Sequence, residues 1–288
     1  MKMSTLTLNL AKDPGVPVEV EEIIPDKIAG LTLNDLSKIT IWVGNRQLRL
    51  TEVFEVEGEI GSKPEEVKII FKGCTNRLRR VGEKMSAGEI EVQGDVGAYA
   101  GRKMKGGKLV IKGSTGPSLG AKMYGGTIEV HGSTGDRVGG SYRGELPTKG
   151  MKGGTIIVHG DAGAEVGLGM RGGTIIVNGS CDIMPGLEMK GGTVLIKGDC
   201  AGKAGARMTG GRVVILGKIP TILPSFYIDE VRPSMKVAGE KIEGPLLVFV
   251  GDAIASERCG GRLIVNLKNN PHLKKYEELA TQKIEVEI

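Results

Sequence analysis

The ten residues Met151-Lys152-Gly153-Gly154-Thr155-Ile156-Ile157-Val158-His159-Gly160 recur in varied form through the middle of the chain. Each copy has a methionine, two glycines and a short apolar segment, and the first copy, at Met85, is the weakest. The step is 19 residues everywhere except between Met123 and Met151, where nine further residues intervene. A repeat this strict is typical of a solenoid, in which each unit stacks on its neighbours. The repeated methionines are Met85, Met104, Met123, Met151, Met170, Met189 and Met208.

The apolar segment of each repeat has the alternation of a β-strand. Ile156 and Val158 lie two residues apart, so they face the same side, and the other copies have Ile, Val or Leu at the same positions. We expect the copies to stack as parallel, in-register strands about 4.8 Å apart, so that the stack extends over roughly 34 Å. The sequence therefore predicts an all-β fold, a parallel β-helix of about seven 19-residue coils.

The repeat divides the chain into three predicted parts. Residues 1–80 lack the period and are expected to form an amino-terminal cap or small domain. Residues 81–218 form the β-helix repeat domain, and residues 219–288 form an exit and covering segment. Smaller predicted elements are strands at 4–10, 39–43 and 53–56, a short helix at 33–36, a strand resembling the repeat at 260–265, a charged helix at 272–280 and a strand at 284–288.

Composition excludes several classes of protein. The 47 glycines recur with the repeat, so they indicate turns in a folded solenoid and not collagen or a disordered chain. A net charge of +5 is modest for 288 residues, and only 3% of residues are aromatic, which weighs against nucleic-acid binding. The sequence has no apolar run long enough for a membrane span and no export signal. We therefore expect a cytoplasmic protein without nucleic-acid or membrane partners.

The outward side of the repeat strands becomes apolar along the chain. Such a stripe must be covered, either by the tail of the same chain, where the segment from His272 has the length, or by another subunit. The nine-residue insertion, near residues 140–149, is a second candidate contact, since insertions in solenoids lie on one face. The candidate partner contacts are Ile157, Ile176, Leu195 and Val214 on the stripe, and Tyr142 and Arg143 in the insertion.

The sequence indicates no catalytic, cofactor-binding or metal-binding residue. Residues 167–172 match a dinucleotide-binding pattern by letter, but they lead into a strand, so no helix terminus would face a pyrophosphate. Three sets of residues at equivalent positions of the repeats, called columns here, each allow two interpretations. The first column, His131 and His159, is either a polar ladder or a shared metal site. The second, Cys181 and Cys200, is either a pair of reduced core thiols or a disulfide. The third is either a solvated edge or a site for acidic groups, and it consists of Lys105, Lys152, Arg171 and Lys190. We favour the first alternative in each case.

The repeats, the insertion at residues 139–144 and the exit segment Leu223-Pro224-Ser225-Phe226 together resemble the C subunit of formylmethanofuran dehydrogenase. Residues 16–30 also resemble the amino end of that subunit. The repeats alone are similar to a wider superfamily that includes the carboxy-terminal domain of glutamate synthase. That resemblance implies a right-handed β-helix.

The resemblance implies a non-catalytic scaffold subunit of the archaeal complex that reduces carbon dioxide onto methanofuran in methanogenesis. In that family, other subunits carry the tungsten or molybdenum pterin, the iron–sulfur clusters and the amidohydrolase metal centre. The chain would therefore act within an oxidoreductase while holding no cofactor itself. Two alternatives stay open: a subunit of the formyltransferase/hydrolase complex of methylotrophic bacteria, and a stand-alone β-helix binding module.

Overall fold

The computed structural model describes residues 3–141, 149–256 and 259–281, and it is built mostly of β-strands. The prediction of an all-β fold is confirmed to that extent. The first strands are β1 (Ser4–Leu10), β2 (Val18–Glu19), β3 (Thr40–Val43), β4 (Arg46–Arg49), β5 (Glu55–Gly58), β6 (Val67–Gly73) and β7 (Leu78–Arg79). The repeats contribute β8 (Glu89–Val92), β9 (Lys108–Ile111), β10 (Thr127–Val130), β11 (Thr155–Val158), β12 (Arg171–Val177), β13 (Lys190–Ile196) and β14 (Gly210–Ile215), and the last strands are β15 (Tyr227–Val237), β16 (Glu240–Val250) and β17 (Arg262–Asn266). The α-helices are short: α1 (Pro25–Ile28), α2 (Leu33–Leu36), α3 (Leu50–Val53) and α4 (Lys275–Thr281).

The repeat strands β8 to β14 pair in sequence order, each parallel to the next. The register follows the repeat, since Ile156 of β11 lies opposite Ile175 of β12, and Val158 lies opposite Val177. A second line of parallel bridges, one in each repeat, runs from Val96 to Cys200. Successive units are therefore joined at two places, which accounts for the fixed length of the repeat.

The inward side of the stack is a continuous apolar core. Ile156 and Val158, their counterparts in the other repeats, and the repeated methionines from Met85 to Met208 are fully buried. Methionine suits this corner because its flexible thioether fills an irregular space. The core extends from Leu6 in β1 to Leu273 beyond β17 as one cluster.

The amino-terminal segment extends the same sheet. Strand β6 pairs parallel with β8, and β1 pairs with β6 and β5, so the sheet continues across residue 80. A separate four-stranded sheet has the order β4-β3-β2-β7. The strand predicted at 53–56 is partly wrong, because Leu50–Val53 is helical and the strand begins at Glu55. The side chain of Glu52 accepts the N–H of Arg49 at 2.6 Å, which stabilises that first turn.

The carboxy-terminal segment returns to the stack. Strand β17 pairs parallel with β14, which confirms the prediction that residues 260–265 resemble a repeat strand. Strands β15 and β16 form an antiparallel hairpin that lies beyond β17 in the sheet. The hairpin turn contains Ala238 and Gly239, both with positive φ, and neither strand was predicted. The predicted charged helix is present from Lys275, and the strand predicted at 284–288 lies outside the described residues.

Within the described ranges, no helix is both long and apolar enough to cross a membrane.

Candidate functional site

The outward apolar stripe, the main candidate contact surface, is covered by the chain itself. Leu195 and Val214 are fully buried and Ile176 is 9% exposed, whereas Ile157, at the start of the stripe, is only partly buried. The stripe forms a second apolar cluster that is distinct from the inner core. The covering residues are Val237, Ile242, Leu246 and Val248, and Ile264 of β17 continues the stripe opposite Val214.

The cover is the β15–β16 hairpin and not the segment from His272. Residues near the hairpin turn fold over the outer face of β12 to β14, and Lys197 on the stack pairs with Glu240 on the hairpin at 2.8 Å. A hairpin can do this because its alternating side chains serve two faces: Leu247 and Phe249 enter the inner core, while Leu246 and Val248 cover the stripe. Helix α4 packs elsewhere, with Tyr276 against Phe249.

Because the hairpin covers most of the stripe, that part is not accessible to a partner subunit. Leu195 and Val214 have no surface left for another subunit, because the chain's own hairpin already excludes solvent from them. Ile157 keeps some exposure, so it stays a candidate contact. The other two candidates, Tyr142 and Arg143, lie outside the described residues.

The histidine column forms a hydrogen-bonded ladder on the outer face. His159 Nε2 lies 3.1 Å from Glu129 Oε1, and Asn178 Nδ2 lies 3.1 Å from His159 Nδ1. The rings of His131 and His159 are 5.2 Å apart between centroids. The hydrogen bond from His159 lowers the pKa of Glu129. Over residues 3–141, 149–256 and 259–281, no group of three His, Cys, Asp or Glu side chains is arranged to hold a metal ion.

The basic row lies along the corner where each methionine turns inward. Lys105, Lys152 and Lys190 are exposed, and Arg171 continues the row on β12. Tyr124 occupies the same position in its own repeat, and the Lys152 ammonium lies 5.0 Å from the centroid of that ring. The corner therefore presents a cationic edge to solvent, with one cation–π contact.

Two further sequence-based interpretations concern glycines and cysteines. Residues 167–172 lead into β12, so the dinucleotide-like pattern precedes a strand, as expected. Cys181 and Cys200 lie opposite each other on neighbouring repeats, and both are buried free thiols. The remaining cysteines, Cys74 and Cys259, are partly exposed free thiols.

Known proteins that are similar in sequence match about a third of this chain. No family model matches the chain. The C subunit of the tungsten-containing formylmethanofuran dehydrogenase 2 of Methanococcus maripaludis is 41% identical over 99 residues, which is 34% of this chain and 35% of that protein. The C subunit of the molybdenum-containing formylmethanofuran dehydrogenase 1 of Methanosarcina barkeri is 38% identical over 98 residues. These matches cover about a third of the length of each curated relative.

The similarity to a solved structure is more extensive. A chain of the formyltransferase/hydrolase complex FhcABCD from Methylorubrum extorquens, crystallised with methylofuran, superposes with a TM-score of 0.77 at 29% identity. The match covers 90% of this chain and 99% of that chain. Sequence and structure thus agree in confirming that this chain resembles the C subunit of formylmethanofuran dehydrogenase and of the formyltransferase/hydrolase complex.

Proposed function

We propose that this chain is a non-catalytic scaffold subunit of a formylmethanofuran dehydrogenase complex, which reduces carbon dioxide onto methanofuran. The observation that carries the proposal is the 41% identity over 99 residues to the C subunit of a tungsten-containing formylmethanofuran dehydrogenase. The molybdenum-containing relative bears the same C-subunit name, and the match over 90% of the chain to a chain of FhcABCD supports a place in a multi-subunit complex. Its partners would be the other subunits of that complex.

The side chains of the described residues support a structural role. The inner core cluster is built of apolar side chains, and near the surface Lys68 pairs with Glu89 and Glu91. Among the described residues the four cysteines do not form the set of neighbouring thiolates that an iron–sulfur cluster takes. The proposal therefore assigns the tungsten or molybdenum pterin, the iron–sulfur clusters and the amidohydrolase metal to partner subunits.

A second function, as the C subunit of a formyltransferase/hydrolase complex, is favoured by one specific observation. The structural match is to FhcABCD, and the C subunit of that complex is 36% identical over 91 residues. The two complexes would share a scaffold while differing in the redox partner.

The finer architecture is also a proposal. Parallel strands connected through one repeat, with a second line of bridges, support a β-helix, and the strong preference of parallel crossovers for one hand supports a right-handed coil. We keep the division into residues 1–80, 81–218 and 219–288 as cap, repeat domain and covering segment. The continuous sheet means that these parts would fold as one body.

The partner contact proposed on the stripe is Ile157, which keeps partial exposure. Tyr142 and Arg143 of the insertion, outside the described residues, are proposed as contacts on the sequence alone.

An affinity tag on this chain, expressed in its own organism, tests the proposed function. We expect the purified material to contain the other subunits and to show either formylmethanofuran dehydrogenase or formyltransferase/hydrolase activity, which decides between the two complexes. The matched control carries the same tag on an unrelated chain. Recovery of the tagged chain alone as a monodisperse monomer would contradict both versions and favour a stand-alone module.

A further inference from the structure

The feature that the proposed function leaves unused is the pair of buried thiols at Cys181 and Cys200. They are 7% and 3% exposed and lie opposite each other in the second line of parallel bridges. The same column holds Val96, Thr115, Thr134, Ala162 and Ile219 in the other repeats, so only here do two sulfur atoms stack within the described column. The pair is thus a local departure from an otherwise ordinary core column.

A cavity of about 580 Å³ adjoins the two thiols. Its wall includes Cys181, Cys200, Asp199, Lys218 and His272. The pair is therefore reachable from solvent although both sulfur atoms are largely buried.

The polar contacts at the pair centre on Cys200 Sγ, which lies 3.9 Å from the carbonyl oxygen of Asp182 and 3.8 Å from that of Gly202. The backbone N–H of Gly202 donates to Cys200 Sγ at 3.4 Å. A hydrogen bond from the Cys181 thiol lowers the pKa of Cys200 and raises that of Cys181. Lys218 and His272 are polar residues of the wall, and Asp199 accepts the backbone N–H of Lys218 at 2.7 Å.

The geometry of a parallel ladder distinguishes a bridging atom from a direct sulfur–sulfur bond. Side chains at paired positions point the same way, so the two Cβ atoms are separated by close to the strand spacing of about 4.8 Å. A disulfide draws its Cβ atoms to about 3.5–4.5 Å, which this ladder would have to contract to reach. One metal ion between two thiolates, with each bond about 2.3 Å, spans sulfurs up to about 4.6 Å apart. The spacing therefore suits a single bridging ion better than a disulfide.

The number of available ligands selects the kind of ion. Zinc in structural sites takes four ligands, and no third His, Cys, Asp or Glu joins the pair within the described chain. Two thiolates alone suit a soft, closed-shell monovalent cation such as Cu(I). Binding would release two protons from the two thiols and leave one net negative charge on the site.

We propose that Cys181 and Cys200 form a two-thiolate site for a soft monovalent cation of the Cu(I) class. The site is independent of the centres assigned above to partner subunits. It would hold neighbouring repeats together where the stack meets the exit segment.

Anaerobic titration of the reduced full-length chain with Cu(I), supplied as its coloured bicinchoninate complex, tests the site. We expect the chain to remove one Cu(I) from the complex per molecule. The double variant Cys181→Ala with Cys200→Ala should remove none. Alanine already occupies this column at Ala162, so the variant should fold, and its thermal unfolding serves as the check.

The matched control replaces the other two cysteines, Cys74→Ala with Cys259→Ala, and should still take up one Cu(I). The single variants Cys181→Ala and Cys200→Ala, should the double variant fail to fold, are each expected to lose the stoichiometric uptake. Failure of the unmodified chain to take up Cu(I), or uptake by the double variant equal to that of the unmodified chain, would overturn the proposal. Neither result bears on whether the chain assembles with partner subunits, which the tagged-chain experiment measures separately.

Discussion

At the scale of single residues, the close stacking of the repeats depends on the second glycine of each Met-x-Gly-Gly corner. Gly154 has φ of 88°, and a Cβ there would lie 2.8 Å from the carbonyl oxygen of Gly126 in the preceding repeat. Backbone atoms cannot move aside as a flexible side chain would. Two costs therefore add at this position, one from the left-handed backbone and one from the collision.

We expect Gly154→Ala to lower the free energy of unfolding by about 2–5 kcal/mol. Of this, about 1–2 kcal/mol comes from placing a Cβ at positive φ, and about 1–3 kcal/mol comes from overpacking. Urea unfolding followed by circular dichroism measures the change.

Gly239→Ala is the matched control. Gly239 has a similar φ of 90°, but a Cβ there meets nothing within 4 Å, so only the first cost applies. Equal losses for the two variants would show that the contact between repeats contributes nothing.

At the scale of elements, the hairpin of β15 and β16 decides what happens to the outer face of the sheet. The apolar outward positions in β12 to β14 require a cover, and the hairpin supplies Ile242, Leu246 and Val248. In the earlier repeats the same positions hold Glu91, Val110 and Glu129, and the two glutamates pair with neighbouring lysines on either side of the single valine. The change in outward residues therefore marks where the hairpin lies.

The double change Ile176→Lys with Leu195→Lys should lower the melting temperature of the isolated chain. Each lysine would be buried under the hairpin without a partner, and an uncompensated buried charge costs about 3–5 kcal/mol. Differential scanning calorimetry of the free chain measures the loss.

Ile157→Lys provides the comparison, because this residue belongs to the same stripe but keeps partial exposure. Its lysine can reach solvent, so a smaller loss is expected. A double variant that melts like the unmodified chain would mean that the hairpin does not hold this face closed in solution.

At the scale of the whole molecule, both ends of the stack are closed by the chain's own segments. Strands β6, β1 and β5 continue the sheet at one end, and β17 with the hairpin continues it at the other. The core runs through all of them as one cluster. A continuous stack of this kind offers an extended surface, which is what the scaffold role proposed above requires.

The chain freed from partners should lack formylmethanofuran dehydrogenase activity and should contain no stoichiometric tungsten, molybdenum or iron. The reason is that the proposed scaffold offers no ligand set for those centres among its described residues. Elemental analysis and an activity assay on the isolated chain check this. One such metal centre per chain would require a site that the scaffold proposal does not include.

The 19-residue period is a property that the sequence determined by itself. Strands that lie one period apart have the same alternation of apolar and polar residues. Stacking them in register therefore buries Ile156, Val158 and their equivalents in every repeat, whereas a slip by one residue would expose them all. For this reason the parallel pairing of β8 to β14, the buried methionines and the resemblance of residues 260–265 to a repeat strand could be predicted from local pattern.

Tertiary structure alone decided which segment covers the outer stripe and what surrounds the thiol pair. Strands β15 and β16 mix apolar with charged residues, such as Glu230 and Arg232, so their alternation is weak until their partners are known. Their pairing with β17, and of β17 with β14, joins residues that are far apart in the chain. The cavity beside Cys181 and Cys200 likewise depends on His272 and its neighbours returning to the stack. Local periodicity carries no information about such contacts, because they are stabilised only after the long connecting segments have closed.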